Sequence, residues 1–194
     1  MSLKLKLQKY QITLLELHAL NNDWDAAYAP AEIKMHLGKL VPLTHVKGEL
    51  RRSQRARVAL WRRIDYLKKQ HYLEQVRENE QRLYKLTAKA KFAILRLQFA
   101  LHMQEQRTKS GDGNFYLIVF DIPEQMKKYR DLFRSLLKAN GFRFLQLSVW
   151  LSRYNPHPAI DELLKYLGLE RHFEIMKISC KECSPRLQRI TGRR

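Results

Sequence analysis

Acidic residues, cysteine and long apolar runs are all scarce in this chain, and each scarcity excludes something. Asp and Glu number 19 against 37 Lys and Arg over 194 residues, a formal net charge of +18. That imbalance directs attention to a polyanionic partner, with nucleic acid first and anionic lipid as its rival. The two cysteines, Cys180 and Cys183, are too few for a disulfide scaffold and fit a reducing compartment. Their C-x-x-C spacing supplies only half of a structural zinc site, and His172 does not complete a tetrahedron, so a plain reduced pair is expected. No apolar run approaches the roughly 18–20 residues of a membrane span. The opening MSLKLKLQKY has no apolar signal core, and a cytoplasmic protein without a membrane partner is expected.

What is abundant is positive charge in helical register. Between Lys47 and Lys69 stand nine Lys and Arg residues against only Glu49 and Asp65. At about 100° per residue, Arg51, Arg55, Arg62 and Lys69 share one stripe, and Leu60, Ile64 and Leu67 share the opposite one. An apolar back with a cationic front suits a surface dense in phosphates, and duplex DNA is the partner it indicates. Arg52, Arg57, Arg63 and Lys68 flank the stripe and are expected to touch phosphate or, for one or two of them, bases. Trp61 sits off the centre of the apolar stripe and is expected to pack at its edge.

Around this helix the pattern predicts a compact N-terminal block. Gln8 to Asn22 reads as a first helix, with Ile12, Leu15, Leu17 and Leu20 supplying much of its apolar surface. Pro30 opens a short second helix ending near Gly38, and Pro42 prevents its continuation. After the basic helix, which runs to about Gln70, YLEQV and RLYKL read as strands around the polar turn RENEQ. Arg77 and Arg82 bracket that turn and are expected to meet the DNA backbone. Thr87 is placed to cap a further helix through Phe92, Leu95, Phe99 and Met103. Three helices and a hairpin make a winged helix, whose third helix enters the major groove. RLYKLTAKAK resembles the closing wing strand and next helix of bacterial winged-helix regulators, with Ala90 where their "Y-x-L-T-x-x-G" has glycine.

The polar stretch RTKSGDGN marks a boundary. Beyond it FYLIVF reads as a buried strand, then an amphipathic helix with Tyr129, Leu132, Phe133, Leu136 and Leu137 inward, ended by Gly141. FRFLQLSVWLS is one long strand or two short ones meeting near Gln146. Pro156 or Pro158 opens a helix through Leu163, Leu164 and Leu167, and FEIMKIS closes the block as a strand. That order, βαββαβ, predicts a ferredoxin-like sandwich with two helices on one face of a four-stranded antiparallel sheet. The fold class expected is therefore α+β. It comprises a winged helix-turn-helix over 1–86, a linker helix and loop over 87–110, a ferredoxin-like domain over 111–180 and a basic tail over 181–194.

The second block also carries a resemblance. YLIVFDIPE, the helix bearing Lys127, Lys128, Arg130 and Arg134, and NGFRFLQLSVWLS resemble the PaaX-type transcriptional regulators and the small ferredoxin-like nuclease of CRISPR adaptation. Asp121 matches the strand-end Asp of the latter, and Gln146, Ser148, Val149 and Trp150 match its Q-x-S-V-[FW] stretch. The winged helix ahead of this block favours the PaaX-type arrangement. The resemblance implies a homodimer through the ferredoxin-like domain. PaaX-type regulators have a further C-terminal region implicated in sensing acyl-CoA effectors; with only a short tail after Cys180, no such ligand is expected.

The resemblance also raises Asp121 as a catalytic and metal-binding residue. Two copies across a two-fold axis would share Mg²⁺ or Mn²⁺, since one carboxylate is a poor site alone. The competing expectation is that Asp121 accepts backbone N–H bonds and caps the turn at Ile122-Pro123. Trp150 is expected in the core or at the dimer surface, and His36, His45 and His157 as packed or solvated residues. The function expected is a dimeric PaaX-like regulator that binds duplex DNA and requires no cofactor. The alternative is a metal-dependent nuclease or nucleic-acid scaffold using paired Asp121.

Overall fold

The computed structural model describes residues 11, 14–15, 27–28, 58, 61–78, 81–109 and 112–179. Two compact units divide between Ile94 and Leu95.

In the first unit Gln11, Leu14 and Leu15 are helical, as expected; the proposed helix after Pro30 and the break at Pro42 lie outside the described residues. Strand β1, Ala27–Tyr28, has no counterpart in the expectations. The basic helix is described at Val58 and over 61–69. Strand β2 spans Leu73–Glu78 and β3 spans Gln81–Leu86, followed by α1, Ala88–Thr108. The sheet order is β1-β3-β2, antiparallel throughout. The hairpin strands run further than the RENEQ turn allowed. Arg77 pairs with Arg82 and Glu78 with Gln81 inside the ladder, leaving only positions 79 and 80 between the strands.

The helical periodicity explains the core. Ile64 and Leu67, on the predicted apolar back, are essentially fully buried with Leu14, Leu73, Leu86 and Ile94. The basic helix ends without glycine. His71 takes the left-handed conformation at φ 56°, its N–H donates to the Lys68 carbonyl, and the Tyr72 N–H donates to the Leu67 carbonyl. This is the Schellman pattern, which satisfies carbonyls that a helix end leaves unpaired. Thr87 caps α1 as expected, its Oγ1 accepting the Ala90 N–H at 3.2 Å. The same hydroxyl donates to the His71 carbonyl at 2.7 Å, tying the start of α1 to the end of the basic helix.

The second unit holds the C-terminal part of α1 and a four-stranded antiparallel sheet with two helices of its own. Its elements are β4 (Asn114–Phe120), α2 (Lys127–Ala139), β5 (Arg143–Gln146), β6 (Val149–Ser152), α3 (Ala159–Leu167) and β7 (Phe173–Ser179). The order β5-β6-β4-β7 is that of a ferredoxin-like sandwich. FRFLQLSVWLS resolves into two short strands, with the pairing slipping between Phe144 and Gln146. Gly141, at φ 74°, ends α2 and Gly168, at φ 64°, ends α3, both in Schellman geometry like His71. A Cβ at Gly141 would also strike the Arg107 guanidinium. On the helix side, Phe173 stacks on Phe120 with centroids 5.0 Å apart and meets Phe133 of α2 at 4.6 Å. Trp150 belongs to this buried layer, edge-on to Phe144 at 5.4 Å, so of the two expected roles the core one holds. Tyr129, placed inward by periodicity, is exposed. The opposite sheet face has a smaller cluster, Phe115 and Leu151 with Leu117, Leu145 and Ile178 packed on it.

Candidate nucleic-acid interface

The basic helix presents its charge much as its periodicity demands, with informative departures. Arg62 and Lys69 are exposed, opposite the buried Ile64 and Leu67. Arg63 is half-buried on one flank. Lys68, on the other, donates to Gln75 Oε1 at 3.4 Å and lies 5.5 Å from the Tyr84 ring centroid. Both contacts are on the hairpin, so Lys68 braces helix against sheet. Arg77 is exposed on β2, and Arg82 stands opposite it in the ladder. Arg51, Arg52, Arg55 and Arg57 lie outside the described residues.

The C-terminal end of this helix is fixed by residues that periodicity does not single out. Lys89 Nζ donates to the Gln70 carbonyl at 2.8 Å and sits over the Tyr72 ring at 4.7 Å. A cation at a helix C-terminus meets the negative end of the macrodipole, so this bond is both cap and electrostatic partner. The exposed face carries more than cations. Val58, Trp61 and Tyr66 keep 47%, 38% and 43% of their surface open.

Asp121 occupies the end of β4, where the resemblance placed it. Its N–H donates to the His172 carbonyl at 2.9 Å, and the preceding Phe120 N–H donates to the Ser148 carbonyl at 3.1 Å. The backbone at the end of β4 is thus flanked by two segments, Ser148 before β6 on one side and His172 before β7 on the other. That neighbour, 51 positions away, is invisible to local spacing. The carboxylate is exposed, and the 3-10 turn that follows, Glu124–Met126, has no side-chain cap. Among the described residues no three His, Cys, Asp or Glu side chains converge to hold a metal ion. Cys180 and Cys183 lie outside the described residues.

Elsewhere in the second unit several carboxylates are held by cations. Asp112 accepts from Lys177 Nζ at 2.9 Å, Tyr116 Oη at 2.8 Å and the Asn114 N–H at 3.1 Å. Burial alone would raise its pKa, but the bonds from Lys177, Tyr116 and Asn114 outweigh it and hold the carboxyl well below the ordinary carboxylate range. Glu124 is likewise lowered, by the Arg130 guanidinium that donates to it at 2.7 Å.

The second unit is thus an α+β, ferredoxin-like domain. Residues 108–189 match the family model described as the PaaX protein central Cas2-like domain. The match supports the resemblance over that segment and does not extend to the N-terminal block. No curated protein matches the chain. No described helix is long and apolar enough to cross a membrane.

Proposed function

We propose that the chain is a PaaX-like transcriptional regulator that binds duplex DNA as a dimer. The observation that carries this reading is the basic helix, exposing Arg62 and Lys69 and braced on a three-stranded sheet, in a chain with a matched PaaX central domain. A helix followed by an antiparallel hairpin, whose sheet is extended by a short strand from earlier in the chain, has the layout of a winged helix, which docks that helix in the major groove. Dimerisation through the ferredoxin-like domain is supported by its second sheet face, where Met176 is exposed beside the partly buried Leu117. Two basic helices on one dimer would engage two half-sites, the second at high effective concentration. Replacing Arg51, Arg55, Arg62 and Lys69 together with Ser is expected to remove most duplex affinity in a gel-shift titration. Unchanged affinity in a folded variant would refute the reading.

A second reading, a divalent-metal-dependent nuclease, draws on one observation: the Asp121 side chain is exposed directly after β4. It requires a partner Asp121 to complete any metal site. Incubation with DNA and RNA plus Mg²⁺ or Mn²⁺ is expected to leave both intact. Cleavage that disappears in Asp121→Ala would favour the nuclease instead.

A further inference from the structure

The outward face of the basic helix is too mixed in chemistry for a phosphate clamp alone. Taking Arg62 as origin and about 100° per residue, Lys69, Val58, Tyr66 and Asp65 fall roughly 20°, 40°, 40° and 60° from it. All are exposed, and Ile64 and Leu67 are buried on the other side. The front therefore sets a carboxylate, a phenol ring and a branched apolar side chain among its two cations. Lys68 and Arg63, the other cations of these turns, sit on the flanks.

Phosphates alone do not account for that composition. A carboxylate facing a polyanion weakens binding to every sequence by Coulomb repulsion, and exposed apolar groups gain nothing from phosphate oxygens. Base edges account for both. In the major groove a carboxylate accepts a hydrogen bond from the cytosine amino group, an apolar side chain contacts the thymine methyl, and arginine pairs with guanine. Spacing agrees: Arg62, the Asp65–Tyr66 pair and Lys69 occupy successive turns, and seven residues rise about 10.5 Å, close to three steps of about 3.4 Å along a strand.

We infer that this face reads sequence, with Asp65 as the residue that selects cytosine and Tyr66 beside it favouring a neighbouring thymine. The inference rests on the proposal that the helix binds duplex DNA, and it adds which residues discriminate. Asp65 then opposes non-specific binding: it lowers affinity for every duplex except those offering it a donor.

Selection of bound duplexes from a random pool, run in parallel on the full chain, Asp65→Ala and Asp65→Asn, tests this. A thermal melt on each variant checks folding, which an exposed side chain leaves intact. The wild type is expected to select a motif with one fixed cytosine per half-site. Asp65→Ala is expected to bind a fixed duplex lacking the motif several-fold more tightly while preference at that position falls by about tenfold. Asp65→Asn is expected to switch that position toward adenine, whose N6 and N7 an amide pairs with, an outcome that a structural role would not produce. The same selected motif from all three proteins would overturn the inference and leave duplex binding standing. If Arg62→Ser and Lys69→Ser each leave duplex affinity untouched, it is the DNA-binding reading that fails.

Discussion

Asp112 ties the first strand of the ferredoxin-like sheet to its last: it precedes β4 and accepts the ammonium of Lys177 on β7. Because its folded pKa is depressed, the stabilisation is complete above the unfolded value, near 3.8, and is lost as pH falls through the folded one. Asp112→Asn should therefore be less stable than the parent at pH 7, with the gap narrowing once the pH drops below about 4. Urea unfolding at pH 7, 4 and 2.5 reads this directly; a gap unchanged at the lowest pH would contradict it. Other residue-level features divide sharply in how legible they are. Gly141 and Thr87 announce their roles because each residue type meets a specific backbone demand, a left-handed φ or an N–H without a partner. His71 meets the same demand as Gly141 with a side chain that gives no signal.

At the scale of elements, each long segment with an unbroken period was readable: FYLIVF, the α2 stripe and FEIMKIS form the structures their patterns require. β1 was not, because two residues define no period and its pairing partners, Lys85 and Tyr84, are more than fifty positions away. The RENEQ turn reads too wide from sequence because polar residues paired at a ladder end look the same as loop residues. Lys68 shows the limit of angular reasoning. Its position on the helix wheel reads as an expected DNA contact, and only the register of β2 and β3 brings Gln75 and Tyr84 to it. We expect Lys68→Ala to cost about 0.5–1 kcal/mol of stability, the range for a cation–ring contact whose cation stays near solvent, and to leave the salt dependence of DNA binding unchanged. Arg62→Ala should do the reverse, with stability kept to within about 0.5 kcal/mol and the salt slope less negative by about one unit. Urea melts and binding isotherms on the pair separate bracing from gripping. If Lys68→Ala shifts the slope as Arg62→Ala does, Lys68 belongs to the interface.

For the whole molecule, net charge and clustering argued for a polyanion. The candidate site was only partly legible: the basic stripe could be read from spacing, whereas the carbonyl of His172 beside Asp121 comes together only through the sheet. Charge enters recognition through counterions. Every phosphate neutralised by Lys or Arg releases them, so log K falls linearly with log salt, by about 0.9 per phosphate contact on duplex DNA. The decisive measurement is that slope, from fluorescence anisotropy on duplex DNA between about 50 and 200 mM salt, for the parent chain and for the variant with Arg51, Arg55, Arg62 and Lys69 replaced by Ser. A steep negative slope in the parent, flattened by about one unit for each cation that touches phosphate, is the predicted result. Equal slopes for the two proteins, or binding indifferent to salt, would contradict a basic helix that holds the double helix.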